Sequence, residues 1–188
     1  MPGDYGVHER AVELEGQAYF VVRHDARLPF RVRTRRGTTE DLGTAFDVRA
    51  YGEEPYLQVV VATGRVALRG ARGGDSVALM LRPRDRAVID ARGNAVTTSG
   101  VSLPQYLAWT HGALVFHDAP LASVIAQLGR RYDLDIQTED HSLDAERLTI
   151  SFTTQSADEA MAALAKVLDA RVTRVERLVR LIPVHPRQ

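Results

Sequence analysis

Leu14-Glu15-Gly16-Gln17-Ala18-Tyr19-Phe20-Val21-Val22, Pro29-Phe30-Arg31-Val32-Arg33-Thr34 and Leu42-Gly43-Thr44-Ala45-Phe46-Asp47-Val48 are the stretches that decide how this chain folds. From Val12 the apolar side chains fall on even numbers (Val12, Leu14, Ala18, Phe20, Val22), with Glu13, Glu15 and Gln17 between them. A period of two sends alternate side chains to opposite faces of a pleat, so 12–22 reads as one half-buried strand. Gly16 inside it reads as a bulge or a close backbone approach. After a turn at His24-Asp25-Ala26-Arg27, the residues Leu28, Phe30 and Val32 resume the alternation.

Working outward, Arg35 to Asp41 is polar, contains Gly37 and reads as a loop. Ala45 to Tyr51, Tyr56 to Thr63 and Arg65 to Arg69 read as strands, with Gly52-Glu53-Glu54-Pro55 as a turn. Gly70 to Asp75 reads as a loop. Val77 to Leu81 and Ala87 to Asp90 read as strands on either side of Pro83, and Gly93-Asn94 as a hairpin corner. Many short strands without helical periodicity predict an all-β sandwich, roll or barrel-like domain.

After about Val101 the pattern changes. Asp118-Ala119-Pro120 reads as a helix start with Asp118 as N-cap. Leu121, Val124, Ile125 and Leu128 follow at helical spacing. Leu134, Ile136 and Thr138 alternate, as do Leu148, Ile150 and Phe152. Ser156 with Glu159 forms a capping box ahead of Met161, Leu164, Ala165 and Leu168. Arg171 to Glu176 and Leu178 to Ile182 close the chain as strands. The order β-α-β, then β-α-β-β, predicts a small α+β domain of two similar halves, 113–138 and 148–175. The two domains are expected at 1–108 and 109–188, with Tyr106 and Trp109 near the junction.

The chain has 188 residues, no cysteine, and 24 basic against 24 acidic side chains. Zero net charge gives nucleic acid or an anionic membrane no bulk attraction. The absence of cysteine excludes disulfides, thiol catalysis and thiolate metal sites. No stretch approaches the ~18 apolar residues of a membrane span.

The front part resembles the FecR domain of cell-surface signalling regulators. The residues that carry the resemblance are Leu14, Gly16, Ala18, Phe20, Pro29, Phe30, Val32, Leu42-Gly43-Thr44-Ala45-Phe46, and Val61 to Val66 with Gly64. The series Trp109, Gly112, Leu114, Phe116, Pro120, Leu121 resembles the approach to that family's C-terminal domain. That domain is itself similar to the short N-terminal (STN) modules of secretins and TonB-dependent receptors. Pro83-Arg84 stands where the family usually has Pro-Gly, a departure expected to alter one hairpin.

The resemblance implies the periplasmic sensor of a single-pass anti-sigma regulator. Such a sensor binds the N-terminal signalling domain of an outer-membrane TonB-dependent receptor. It reports ligand uptake, often of a ferric siderophore, to an extracytoplasmic-function sigma factor. The cytoplasmic segment that meets the sigma factor and the membrane helix are both expected to lie outside this sequence. No cofactor is implied, and no membrane contact by this fragment. Recognition needs no catalytic group, because an exposed sheet edge can accept a strand. The candidate contact residues are Arg171, Val172, Thr173, Arg174 and Val175, or Leu178, Val179, Arg180 and Leu181. The face of the Leu121 to Tyr132 helix is the alternative surface.

Gly43-Thr44 is the sharpest chemical candidate. The resemblance implies self-cleavage at a Gly-Thr bond in some members; a threonine hydroxyl attacks the preceding carbonyl where the peptide is strained and a proton acceptor is at hand. The plainer reading is a glycine turn followed by a strand threonine. His8, His24, His111, His117, His141 and His185 lack the tight spacing of a metal site. The acidic stretch Glu139, Asp140, Asp144 and Glu146 lacks a calcium loop's glycine and spacing. Arg33, Arg35 and Arg36 form a short basic cluster, either solvated or a rim contact to an acidic partner. Two rival functions are a β-rich cell-envelope enzyme acting on carbohydrate or peptidoglycan, and a secretin-like assembly module. No paired carboxylates or nucleophile–histidine pair support the enzyme.

Overall fold

The computed structural model describes residues 10–71, 78–139, 143, 145–153 and 156–184. The chain divides into two compact units, Met1–Leu107 and Ala108–Gln188.

The first unit is β-rich. Its strands are β1 (Arg10–Glu13), β2 (Gly16–Val21), β3 (Phe30–Thr34), β4 (Gly37–Asp41), β5 (Ala45–Ala50), β6 (Tyr56–Thr63), β7 (Val66–Gly70), β8 (Leu79–Leu81), β9 (Arg86–Asp90) and β10 (Ala95–Thr98), followed by a short helix α1 (Leu103–Leu107). They form two five-stranded sheets, ordered β1-β3-β4-β7-β8 and β10-β9-β6-β5-β2. Both sheets supply one core: Phe30, Val32, Val66, Leu68 and Leu81 from the first, and Phe46, Val48, Leu57, Val59, Val61 and Ile89 from the second. Each such side chain, fully buried, contributes about 1.5–3 kcal/mol. Phe20 ties the layers together, its ring 5.4 Å from both Phe30 and Phe46.

The expected single strand over 12–22 is two strands in different sheets. β1 pairs in parallel with β3, and β2 pairs antiparallel with β5. Gly16, at φ +121°, carries the chain across. Alternation could not reveal this, because Val12, Leu14 and Phe20 all turn toward the same core from opposite layers.

The expected loop at 35–41 contains β4, which pairs with both β3 and β7. Its inward residues are Gly37, Thr39 and Asp41, all buried, so a hydrophobic pattern has nothing to show there. Residue 77, the expected start of β8, lies outside the described residues, as do 72–75 of the Gly70 to Asp75 loop and residue 76. Gly93-Asn94 does turn the β9–β10 hairpin. Asp90 accepts from the N–H groups of Arg92 and Asn94 at 2.8 and 2.9 Å and from the Asn94 side chain at 2.9 Å. These bonds, led by the Asn94 amide, hold its carboxyl below the usual range.

Pro83-Arg84 keeps its turn. Arg84 takes φ +67°, the conformation in which glycine is favoured, and Asp85 N–H still reaches the Arg82 carbonyl at 2.9 Å. The segment from Val101 leads into α1, which holds Pro104, a residue that reads as a turn from sequence. Arg84 bonds to that segment through the Val101 carbonyl at 3.2 Å, and α1 packs on β6. β6 is buried on both faces.

The second unit holds a 3-10 turn (Ala108–His111), β11 (Leu114–Pro120), α2 (Leu121–Tyr132), β12 (Asp135–Thr138), β13 (Arg147–Phe152), α3 (Ala157–Leu168), β14 (Ala170–Val175) and β15 (Leu178–Pro183). β11 pairs with β13, and the other sheet runs β12-β15-β14. The two halves match in detail. Each passes from a strand into a 12-residue helix, and each helix ends on an aspartate in the left-handed conformation, Asp133 or Asp169.

Ser156 caps α3 by accepting from the Glu159 N–H at 3.4 Å. Asp118 caps nothing. It sits at φ +45° in an irregularity of β11, bonded to Arg147 Nε at 2.8 Å, and Pro120 occupies the position before α2. Arg147 lies 29 residues away on β13, so local spacing could not foresee that partner.

Candidate functional site

Gly43 and Thr44 occupy the link between β4 and β5. Gly43 takes φ +91°, and its open side faces His24: a Cβ built there would stand 3.0 Å from the His24 Cβ. Thr44 is buried, and its hydroxyl donates to Asp41 Oδ1, itself buried at the end of β4. The Thr44 carbonyl accepts from the Val22 N–H at 2.9 Å. The Gly43 carbonyl lies so close to Gly64 that a Cβ on Gly64 would meet it at 2.0 Å. A threonine hydroxyl, a buried carboxylate and a positive-φ glycine therefore converge in this link. Asp41 was missed from sequence because its strand was read as a loop; the spacing Asp41-Leu42-Gly43-Thr44 was the available signal.

A polar network covers the outer face of the β10-β9-β6-β5-β2 sheet. Gln17 donates to both carboxylate oxygens of fully buried Asp47 at 3.1 and 3.2 Å. Arg49 Nε donates to Glu54 Oε2 at 2.7 Å, with Arg49 lying over the Tyr51 ring at 5.5 Å. Burial opposes the Arg49 charge, but the Glu54 hydrogen bond and the neighbouring acidic groups outweigh it and raise its pKa. Arg86 bonds to Gln58 at 2.7 Å and stacks over Tyr106 at 5.6 Å. Every charged group in this network has an internal partner, which marks it as structural.

The closing strands of the second unit stand differently from each other. β15 is the middle strand, paired with β12 on one side and β14 on the other. Its Val179 and Leu181 are fully buried. Leu178, Val179, Arg180 and Leu181 thus offer no free backbone edge, which removes them as strand acceptors. β14, with Arg171, Val172, Thr173, Arg174 and Val175, pairs with β15 alone among the described residues. On the alternative surface, α2 turns Leu121, Val124 and Leu128 into the core.

The remaining sequence candidates are scattered. His111 Nδ1 meets the Thr110 hydroxyl at 2.9 Å. His8, His141 and His185, with Asp140 and Asp144, lie outside the described residues. Among the described residues no three potential ligands cluster for a metal. Arg35 and Arg36 line a shallow recess beside Asp90 and Gly93. Glu139 pairs with Arg180 at 3.3 Å.

Comparison with known proteins places this geometry. The FecR protein family matches residues 3–67, and the family described as FecR, C-terminal, matches residues 113–179. The chain belongs to the FecR family. Its fold is also that of a protein from Parabacteroides distasonis crystallised as a candidate anti-sigma factor and solved at 1.65 and 2.50 Å. The two chains share 26% identity with a TM-score of 0.85, over 98% of this chain and 85% of the other. A search of curated proteins finds no match. The FecR match holds the Gly43-Thr44 link, and the C-terminal match runs from the start of β11 through β14. Like its family, the chain is read as a regulator. Among the described residues no helix is long and apolar enough to cross a membrane.

Proposed function

We propose that this FecR-family chain is the periplasmic sensor of an anti-sigma regulator, and that its second unit binds the signalling domain of a TonB-dependent outer-membrane receptor. The observation that carries the reading is β14, an edge strand inside the region matched by the family's C-terminal domain. An open edge accepts a partner strand through main-chain hydrogen bonds and needs no catalytic group. The two strand–helix halves of the unit, with their shared aspartate caps, support a likeness to the STN modules of secretins and such receptors. The receptor would import a ferric siderophore or a similar ligand. The sigma factor would be reached through a cytoplasmic segment of the regulator.

Calorimetric titration with the signalling domain of a TonB-dependent receptor from the same genome tests the reading. Saturable binding tighter than about 100 μM is expected, and none at that concentration refutes it. A neighbouring sigma-factor gene is the cheap companion observation.

A second reading rests on the Thr44–Asp41 hydrogen bond next to a positive-φ glycine. Thr44 Oγ would attack the Gly43 carbonyl carbon and pass its proton to Asp41. The C–N bond would break as the Thr44 nitrogen takes a proton, leaving a Gly43–Thr44 ester that water opens to a carboxylate and a free hydroxyl. The pieces would stay together, because β2 pairs with β5 and β4 with β7 across the cut. Two bands on a denaturing gel, one peak in native chromatography, and one band for Thr44→Ala are expected. A single intact mass after prolonged incubation refutes it.

A further inference from the structure

We infer that the strand β14 accepts is an antiparallel segment with the pattern apolar-x-polar-x-acidic, its carboxylate seated on Arg171. This inference rests on the edge reading above and adds the chemistry of the partner.

The backbone sets the register. Val184 N–H donates to the Asp169 carbonyl at 2.9 Å, and pairing alternates from there along the β14–β15 ladder. Arg171, Thr173 and Val175 therefore spend their N–H and C=O groups on β15, while Ala170, Val172 and Arg174 turn theirs to the open edge. An added antiparallel strand would bond to those three residues. It would meet Arg171, Thr173 and Val175 across the closer, non-hydrogen-bonded pairs, with Cα atoms about 4.5 Å apart, where side chains touch most directly.

The side chains set the chemistry. Ala170 and Val172 pack on the core, so the opposite face carries Arg171, Thr173 and Val175, all exposed. The hairpin holds four arginines and one glutamate. Arg174, Arg177 and Arg180 are paired with Asp158, Asp133 and Glu139. The Arg171 guanidinium has no ion-pair or hydrogen-bond partner among the described residues. Among the described residues it is an uncompensated cation on the edge, and it asks for a carboxylate. Val175 is 72% exposed, two positions beyond Thr173, and asks for an apolar side chain. Because the partner runs the other way, it presents the apolar residue first and the acid four residues later.

The test titrates the receptor's purified signalling domain against the unmodified chain, Arg171→Glu, Arg171→Lys and Arg174→Pro, with melting curves to confirm folding. Arg171→Glu should weaken binding by about 30-fold or more, and Arg171→Lys by no more than about threefold. Arg174→Pro removes an outward N–H without touching the β15 ladder and should abolish binding. Should that variant fail to fold, amide exchange reads the same edge: Val172 and Arg174 must gain protection in the complex. Edge protection with unchanged affinity for Arg171→Glu overturns the acidic pattern and leaves the edge reading standing. Binding without edge protection, or no binding by the unmodified chain, overturns both.

Discussion

Thr44 donates its hydroxyl hydrogen bond to Asp41 at a site where the two residues are 4% and 3% exposed. Each is the other's answer to burial, since a buried hydroxyl or carboxylate left alone costs far more than the pair gains. Asp41→Ala should cost about 1–3 kcal/mol in urea unfolding, because it strands the Thr44 hydroxyl. Asp41→Ala combined with Thr44→Val should cost less than the sum of the two singles, with a coupling of about 1–2 kcal/mol. Additivity to within about 0.3 kcal/mol would show that the contact does not clip the link.

Gly64 and Gly100 make a matched pair, both at φ +76°. A Cβ on Gly100 meets nothing within 4 Å, whereas on Gly64 it would lie 2.0 Å from the Gly43 carbonyl and 2.7 Å from Thr44 Cγ2. Gly100→Ala should lose only the left-handed penalty, about 1 kcal/mol. Gly64→Ala should lose about 3 kcal/mol or more, because the neighbouring link is fixed by the Leu42 N–H on the Arg65 carbonyl at 3.1 Å. Equal midpoints for the two variants in thermal unfolding would contradict this close approach.

Thr39 points into the first unit's core from β4 and is fully buried, and its hydroxyl has no hydrogen-bond partner. Thr39→Val keeps the shape and removes the stranded polar atom. It should raise the urea midpoint by an amount worth about 1 kcal/mol without changing the slope. A loss of stability would mean that the hydroxyl is satisfied.

That same strand shows where the sequence stopped being readable. β6 was plain, because Leu57 to Ala62 is apolar on both faces except at Gln58 and both faces are covered. α3 was plain, because Ser156 and its helical stripe are local. β4 was hidden, since glycine, threonine and aspartate fill its inward positions. The change of sheet at Gly16 was hidden because period two runs on unbroken through a crossover between facing layers. At the candidate sites the local parts were legible: the Gly43-Thr44 pair and the closing hairpin. Asp41 needed β4 to be seen first. The middle position of β15 depends on its pairing with β12, some 43 residues earlier in the register, which no window of sequence displays.

Arg49 and Glu54 form a buried ion pair in the first unit, their side chains only 8% and 9% exposed. Removing one partner leaves an uncompensated charge, so Glu54→Gln should destabilise by about 3–5 kcal/mol. Tyr56 adds a pH dependence. Burial, the largest influence, pushes its phenol pKa up, Glu54 adds to this, and Arg49 pulls the other way. A phenol raised in the folded state releases its proton more readily when unfolded. The stability it contributes is complete below the unfolded pKa of about 10 and falls as pH rises from there through the folded value. Tyr56→Phe should flatten that alkaline decline while leaving the acid limb unchanged. Urea midpoints collected from neutral pH to about pH 11 would check it, and identical alkaline limbs for both proteins would show that Tyr56 does not carry the effect.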